Sequence, residues 1–279
     1  MDYIAPFLLG IAILLVFLVR NQRQLQEKRQ KIVVKEHRMF SFLHGLGEAL
    51  QTSRTREELH QFILKGAMEV VEGAQGALYL LDMKQVRLVP KAMSGQCPPL
   101  LPQLLPNYDP THPEKLRSDL LLETVSTDDA DSILVACLSK RESLHVEDLS
   151  NHPAFGDASP SDRKKICCDA MLAPMYFGES DLGVMVVLRE NGAASFDSND
   201  FAVFGLLADQ CSLALGTDQL SRQSIAQQRL EEEILNARDV QRILLPDKAP
   251  PLSGYRISGR NRAAGSLSGD YYDFIPLGK

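Results

Sequence analysis

The feature that most restricts how this chain can fold is a charge-free apolar run close to its N-terminus. Residues 3–19 read YIAPFLLGIAILLVFLV and contain no Asp, Glu, Lys or Arg. A helix rises about 1.5 Å per residue, so the run would be about 25 Å long, which is near the lower limit for crossing a bilayer. The sequence therefore predicts an N-terminal transmembrane helix, assigned to residues 1–20.

The charges that flank this run predict its orientation. Asp2 is the only charged side chain before it, whereas the residues after it are rich in basic side chains. These are Arg20, Arg23, Lys28, Arg29, Lys31, Lys35 and Arg38. By the positive-inside rule we expect a single-pass protein whose remaining residues lie in the cytoplasm, with a juxtamembrane helix at residues 21–41. A cleaved signal peptide is the alternative, but the run lacks a basic n-region and a small-x-small cleavage site.

Charge and cysteine content exclude some classes of function. The formal net charge is −6 and the sequence pI is about 5.6, so we expect no nucleic-acid partner. The chain has five cysteines, of which Cys167 and Cys168 are adjacent, and no C-x-x-C spacing occurs. Such a pattern is typical of reduced thiols in a cytoplasmic domain rather than of a zinc site or a disulfide framework.

The apolar spacing in the first half of the chain changes from helical to strand-like. It predicts helices across residues 40–71, with a helix start at Thr55 before two glutamates. Two short apolar runs, residues 77–81 and 86–89, predict a β-hairpin. Residues 94–131 contain six prolines and many acidic side chains, so we expect a long, irregular insertion there.

The second half predicts more strands and a long helix. Residues 133–138 fit a short helix and residues 144–146 a short strand, followed by a strong hairpin with strands at 170–177 and 182–189. Asp197 then stands where a helix N-cap is expected. This order predicts an α+β fold, an antiparallel sheet with helices packed on one face.

Residues 42–217 resemble a GAF domain, a sensor fold of bacterial signalling proteins. The matching segments are ALYLLD, SLHVEDLSNHPAF, AMLAPMYFGESDLGVMVVL and FDSNDFAVFGLLADQCSLAL. The resemblance implies a GAF-type antiparallel sheet with packed helices, and a role in sensing or dimerisation. These segments concern the fold, so the resemblance assigns no ligand.

Few residues in this region match a ligand signature. Members that bind cyclic nucleotides carry an Asn-Lys-x-x-x-Phe-Asp-Glu-type motif, which residues 189–191 and 196–197 match only without the lysine. The family also includes haem and bilin binders, for which the candidates would be His112, His145, His152 and Cys97. For each histidine, an ordinary structural or surface role is the alternative.

Residues 218–246 predict a helical connector that can pair as a weak coiled coil. A heptad starts at Leu213 with apolar ends and a polar centre, and its positions are Leu213, Gly216, Leu220, Gln223, Gln227, Leu230, Ile234, Ala237, Gln241 and Leu244. Polar core positions lower stability and leave two packings close in energy. We expect a parallel homodimer in which the connector transmits a signal, and a solvated, unpaired helix is the alternative.

The chain ends in a pattern that suits a hard cation. A turn of small residues precedes an aspartate in the segment SGDYYDF, residues 268–274, and we expect this segment to be a strand. Gly269 permits close approach of the backbone, and Asp270 supplies anionic oxygen. One aspartate is not a complete site, because Mg²⁺ or Mn²⁺ takes about six oxygen ligands.

The run from Glu233 to Pro246, with Asn261 and SGDYYDF, resembles the start of a metal-dependent (PPM-type) protein serine/threonine phosphatase of the SpoIIE/RsbU kind. The pattern AR-x-(I/V)-Q-x-x-LLP is matched by residues 237–246, and Ser268 replaces the first glycine of the family's GGD. The proline that usually follows the asparagine is also missing. The resemblance implies Asp270 as a ligand of Mn²⁺ or Mg²⁺, with the Tyr271 backbone carbonyl as a further ligand.

The phosphatase resemblance also implies a substrate and an incomplete domain. The substrate would be a phosphoprotein, often one of the anti-anti-sigma type in this family. Residues 247–279 would be the N-terminal fragment of the catalytic β-sandwich, so we expect this chain alone to be inactive. The alternative is a non-enzymatic, membrane-tethered GAF sensor that acts by dimerisation. A sensor kinase or cyclase is disfavoured, since neither carries the LLP and SGDYYDF motifs.

Overall fold

The structure is a computed structural model, and it describes most of the chain. Described are residues 4–52, 55–94, 97–112, 124–190, 192–246, 248–251, 253–263, 265–275 and 277. Within the first helix, only the backbone is described for residues 4–16, 18–19, 23–25, 27–28 and 31. By contacts, the chain divides into two compact units, Met1–Gly216 and Thr217–Lys279.

The first unit begins with two helices, α1 (Ile4–Gln51) and α2 (Arg56–Val70). The predicted helix start at Thr55 is confirmed. The Thr55 hydroxyl accepts the Glu58 N–H at 3.3 Å, and the Glu58 carboxylate accepts the Thr55 N–H at 3.1 Å, which together form a capping box. Helix α1 does not end near residue 41 but continues to Gln51. Its residues Phe42 and Leu46 are buried.

Most side chains of the predicted membrane anchor lie outside the described part of the structure, although its backbone from residue 4 onward is helical. Residues 1–3 are not described, and Phe17 is the only residue from 4 to 19 whose side chain is described. Among the residues that the structure describes, no helix is both long enough and apolar enough to cross a bilayer. The anchor therefore stays a prediction from the sequence.

Six strands form one antiparallel sheet in the order β3-β2-β1-β6-β5-β4. The strands are β1 (Gln75–Leu81), β2 (Arg87–Met93), β3 (Val125–Ser126), β4 (Leu144–Val146), β5 (Cys168–Phe177) and β6 (Ser180–Glu190). Both predicted hairpins are confirmed. Gly183 permits the close pairing of β1 and β6, because a Cβ there would lie 2.0 Å from the Tyr79 carbonyl oxygen.

The sheet is covered on both faces, and the prediction of helices on one face was incomplete. One face packs against α1, α2 and the long helix α5 (Ser198–Leu244), through residues such as Ile63 and Phe204. The other face packs against α3 (Ile133–Lys140) and the loops around it, through residues such as Leu105 and Phe155. The sheet strands are apolar on both faces, so a single-face arrangement would expose half of them.

The predicted irregular insertion is in part a core element. A 3₁₀ helix at Pro102–Asn107 and the strand β3 fall within residues 94–131. Leu100, Leu101 and Leu105 are at most 3% exposed, because the insertion folds over the second face of the sheet. Residues 113–123 lie outside the described residues.

Helix α5 starts at the predicted position and continues to Leu244, well past the end of the first unit at Gly216. The Asp197 carboxylate accepts the Asp200 N–H at 2.7 Å, which confirms the N-cap. Gly216, a predicted heptad position, instead faces its own domain, since a Cβ there would lie 2.2 Å from the Phe177 ring. It is therefore not a seam residue. A short helix, α4 (Pro160–Arg163), lies between β4 and β5 in the sequence.

The strand predicted at residues 268–274 does not form. After α5 the described residues adopt turns, bends and irregular backbone. Strands are stabilised by the backbone hydrogen bonds of a neighbour, and the described part of residues 217–279 contains no strand to pair with. The aromatic-rich sequence alone was not sufficient.

Candidate functional site

The C-terminal motif is attached to helix α5 through one glutamine. The Gln241 side-chain oxygen accepts the Ser268 N–H at 3.1 Å, and its amide nitrogen donates to the Ser268 carbonyl at 2.5 Å. Both backbone groups of Ser268 are thus paired by a single side chain, 27 positions earlier in the sequence. Gln241 is half-buried, whereas the residues before it on the helix are mostly exposed.

A second set of hydrogen bonds fixes the backbone of Asp270. The Ser268 hydroxyl donates to the Asn261 side-chain oxygen at 2.7 Å and accepts the Asp270 N–H at 3.2 Å. The Asn261 side-chain amide donates to the Asp270 carbonyl at 2.7 Å. Gln241, Asn261, Ser268 and Asp270 therefore form one connected network, and each belongs to the sequence pattern described above.

Aromatic residues support the same segment. The Tyr272 ring packs on the backbone at Gly259, where a Cβ would lie 2.6 Å from it. Tyr272 and Phe274 form an edge-to-face pair with ring centroids 5.9 Å apart. The irregular backbone after α5 is therefore held by the side-chain amides of Gln241 and Asn261, the Ser268 hydroxyl and the rings of Tyr272 and Phe274.

The residues of this segment do not by themselves make a metal centre. Asp270 is exposed. Among the described residues, no group of three His, Cys, Asp or Glu side chains could hold a metal ion. The carbonyl of Asp270 is already engaged by Asn261. One carboxylate does not supply enough oxygen ligands for Mn²⁺ or Mg²⁺, so these residues alone do not form a complete metal site. The metal-ligand roles of Asp270 and the Tyr271 carbonyl stay predictions.

The histidines considered for haem each have local partners. His112 lies 3.3 Å from the Asp109 carboxylate, the Nδ1 atom of His152 accepts the Ala154 N–H, and His145 lies 2.8 Å from Asp169. Hydrogen bonds from Thr111 lower the pKa of the Asp109 carboxyl to about 2. These contacts are those of structural histidines.

Cys97 is not an exposed anchor point. Its side chain is 2% exposed and its thiol donates to the Pro98 carbonyl at 3.6 Å. Burial raises its pKa well above the ordinary value, and the nearby Cys168 thiol raises it further. A buried, protonated thiol is a poor nucleophile for bilin attachment.

Two cavities border the sheet domain. One, of about 200 Å³, is lined by Gln75, Tyr108, Lys165, Cys167, Cys168 and Glu190 among others. Its charged groups already have partners: the Lys165 ammonium donates to the Leu105 carbonyl, and the Glu190 carboxylate accepts from Gln75. The other, of about 320 Å³, lies near Leu138 and Asp181. Neither arrangement selects one ligand.

A charged cluster that no sequence pattern predicted lies at the start of α5. The Asp200 carboxylate pairs with Lys35 of α1, and lies 3.5 Å from the guanidinium of Arg189 of β6. Arg189 also donates to the Val71 carbonyl at 2.6 Å and stacks over the Phe196 ring. Partners 165 positions apart cannot be paired by local patterns.

Nearby, Asp169 joins β5 to the segment that leads into α5. This carboxylate is 5% exposed, lies 2.8 Å from the His145 ring and accepts the Phe196 N–H at 2.7 Å. A buried carboxylate with two such partners is fully paired. Both clusters fasten the first turn of α5 to the sheet.

Comparisons with known proteins identify the fold. A family profile described as "GAF domain" matches residues 53–216, which is more than half of the chain. No curated protein matches this chain. Similar solved structures include the GAF domain/HD domain protein from Geobacter sulfurreducens, at 17% identity and TM-score 0.46, covering 64% of this chain and 98% of that chain.

Two further solved structures are similar. The GAF domain of a phosphoenolpyruvate-protein phosphotransferase from Coxiella burnetii is 12% identical with a TM-score of 0.49, covering 66% of this chain and 96% of that chain. A structure of residues 122 to 287 of a methyl-accepting chemotaxis protein is 18% identical with a TM-score of 0.46, covering 63% of this chain and 97% of that chain. On the profile match, this chain belongs to the GAF domain family, the regulatory modules of signal transduction.

Proposed function

We propose that this chain is the regulatory part of a membrane-anchored PPM-type protein serine/threonine phosphatase. The observation that carries the proposal is the network of Gln241, Asn261, Ser268 and Asp270. Sequence resemblance selected these positions because they match one motif set. Their mutual hydrogen bonding supports the proposal that these positions belong to one segment.

In this proposal Asp270 is one ligand of a Mn²⁺ or Mg²⁺ centre, and the Tyr271 carbonyl is a second. The remaining ligands would come from carboxylates outside the network, since it contains only one. The substrate would be a phosphorylated serine or threonine on a partner protein, for which the resemblance suggests the anti-anti-sigma type. We propose no nucleic-acid partner, in keeping with the net charge of −6.

The input side of the proposal is the GAF domain together with α1. Residues 3–19 would anchor the chain in the membrane, with the GAF and phosphatase regions in the cytoplasm. Helix α5 begins within the GAF core, where Phe204 and Leu207 are buried, and includes Gln241. A change at the GAF domain would act on the motif by altering the packing of this helix.

The test is a phosphatase assay on the protein purified from its native membranes with an antibody against the GAF domain. We expect Mn²⁺-dependent release of phosphate from a phosphoserine protein substrate, abolished by Asp270→Asn. Asp239→Asn on the exposed surface of α5 is the matched control and should keep full activity. An inactive native product would refute the phosphatase proposal.

The second candidate is a non-enzymatic sensor that works by dimerisation. Its dimerisation is supported by three leucines spaced seven positions apart on α5, Leu206, Leu213 and Leu220, which are 57%, 51% and 54% exposed. Exposed leucines at heptad spacing form the seam of a paired helix. A parallel homodimer fits both candidates, so it is part of the proposal in either case.

The oligomeric state tests this seam. We expect the double substitution Leu213→Glu with Leu220→Glu to convert a dimer to a monomer in analytical ultracentrifugation. Ile225→Glu is the control, because Ile225 is similarly exposed at 47% but lies five positions from Leu220 and faces another side of the helix. A wild-type protein that sediments as a monomer at all concentrations would remove the dimer from the proposal.

A further inference from the structure

We propose that Gln241 is a positioning residue, whose side-chain amide holds the turn that carries Asp270 on helix α5. This inference deepens the proposed phosphatase function and gives its motif glutamine a physical role.

The side-chain amide of Gln241 acts as a short piece of neighbouring strand. It offers a donor and an acceptor side by side, and it uses them on the carbonyl and the N–H of the same residue, Ser268. A backbone neighbour would pair these groups in a sheet. Because the segment does not form a strand, this one side chain supplies both bonds.

Ser268 passes the constraint on to Asp270. Its hydroxyl accepts the Asp270 N–H, and the same hydroxyl donates to Asn261, which in turn holds the Asp270 carbonyl. The backbone N–H and C=O of both Ser268 and Asp270 are therefore fixed. With these four groups held, the backbone position of Asp270 depends on the position of Gln241 on the helix.

Apolar packing gives this segment little support. No described residue after Gly216 is buried, and the half-buried ones include Gln241, Asn261, Ser268, Tyr272 and Phe274. Hydrogen bonds in such a segment hold the backbone that a core would hold elsewhere. Removing the Gln241 amide should therefore release the turn without unfolding a domain.

The test is hydrogen–deuterium exchange of the 279-residue chain in detergent, read on a peptide that covers residues 265–275. We expect Gln241→Met to speed exchange of this peptide about tenfold, since two hydrogen bonds to Ser268 are lost. Gln227→Met is the matched control. Its amide lies on the same helix but bonds only the exposed Glu231, so exchange at 265–275 should not change.

A conservative variant separates positioning from a general effect on the helix. Gln, Glu and Met have similar helix propensities, so a helix effect would be the same in all three. Gln241→Glu keeps the acceptor for the Ser268 N–H and loses the donor. We expect its exchange to fall between those of the wild type and Gln241→Met.

Exchange in Gln241→Met equal to that of the wild type would overturn the inference, as would equal acceleration in Gln241→Glu and Gln241→Met. The outcome is independent of the phosphatase assay, because exchange does not need activity. A wild-type protein without phosphatase activity would refute the proposed function while a graded exchange series still supported the role of Gln241.

Discussion

The two units of this chain are stabilised by opposite means. Residues 1–216 contain two apolar clusters, one on each face of the sheet, with many side chains that are fully buried. Among the described residues of 217–279 none is buried, and the contacts that give the segment a shape are hydrogen bonds from side chains to the backbone. The first unit is stabilised by the burial of apolar side chains, and the second by hydrogen bonds from side chains to the backbone.

This difference predicts different responses to damage. Apolar burial is spread over many residues, so the sheet domain should unfold cooperatively and tolerate the loss of any one surface contact. The second unit depends on a few bonds of about 1 kcal/mol each, so it should open locally and at low cost. Such a segment suits a part that changes state, whereas the sheet domain suits a part that keeps its shape.

The largest expected effect is on the core of the first unit. Phe204→Ala should lower the free energy of unfolding by about 3–5 kcal/mol, because Phe204 is fully buried between α5 and the sheet. Ile225→Ala, on the same helix and 47% exposed, should cost less than about 1 kcal/mol. Urea denaturation followed by circular dichroism measures both, and equal costs would contradict the burial of Phe204.

A proline near the C-terminal end of α5 should disturb the second unit and leave the sheet domain folded. Ile234→Pro removes a helical hydrogen bond at a local cost of about 3 kcal/mol. We expect the melting temperature of the sheet domain to stay within a few degrees of the wild type, while exchange at residues 265–275 rises. Ile234→Ala should change neither. If regulated phosphatase activity survived the proline unchanged, transmission through the helix would be the wrong mechanism.

The capping box of α2 offers a smaller test within the first unit. Thr55→Ala should cost about 1 kcal/mol, since it removes the hydroxyl that accepts the Glu58 N–H. Thr52→Ala is the control, because the Thr52 hydroxyl donates only to the Glu48 carbonyl at the end of α1. The difference in urea midpoint between the two variants measures the cap, and no difference would mean that the cap is not formed.

The smallest effect concerns thiol reactivity, which reports on the core without altering it. Burial raises the pKa of the Cys137, Cys168 and Cys211 thiols to about 12, and that of Cys97 further still. Cys167 is half-buried beside the smaller cavity. Iodoacetamide under native conditions should therefore modify Cys167 first, as located by peptide mass spectrometry. Modification of Cys97 first would contradict the packing of the insertion.

Local patterns predicted most of the sheet domain. Apolar runs joined by short turns located both hairpins, and the polar residues Thr55 and Asp197 located two helix starts. These features depend on residues close together in sequence, which is why they were visible. The insertion was harder, because its prolines and acids predict a loop whereas its leucines fill the second face of the sheet.

The candidate site was predictable only as a set of positions. Sequence resemblance selected Gln241, Asn261 and Asp270, but it could not show that the first two hold the backbone around the third. The strand expected at SGDYYDF failed, because strand formation depends on a partner and not on aromatic content alone. Gly216 fitted a heptad in sequence and was found against Phe177, since a small residue suits either role.

The Asp200 carboxylate has a mechanical consequence. It is shared by Lys35 on the helix that enters the domain and by Arg189 on a central strand, and it sits in the first turn of the helix that leaves. Because α1 and α5 also share the apolar cluster on one face of the sheet, a displacement of α1 would reach the start of α5 through both this ion pair and side-chain packing.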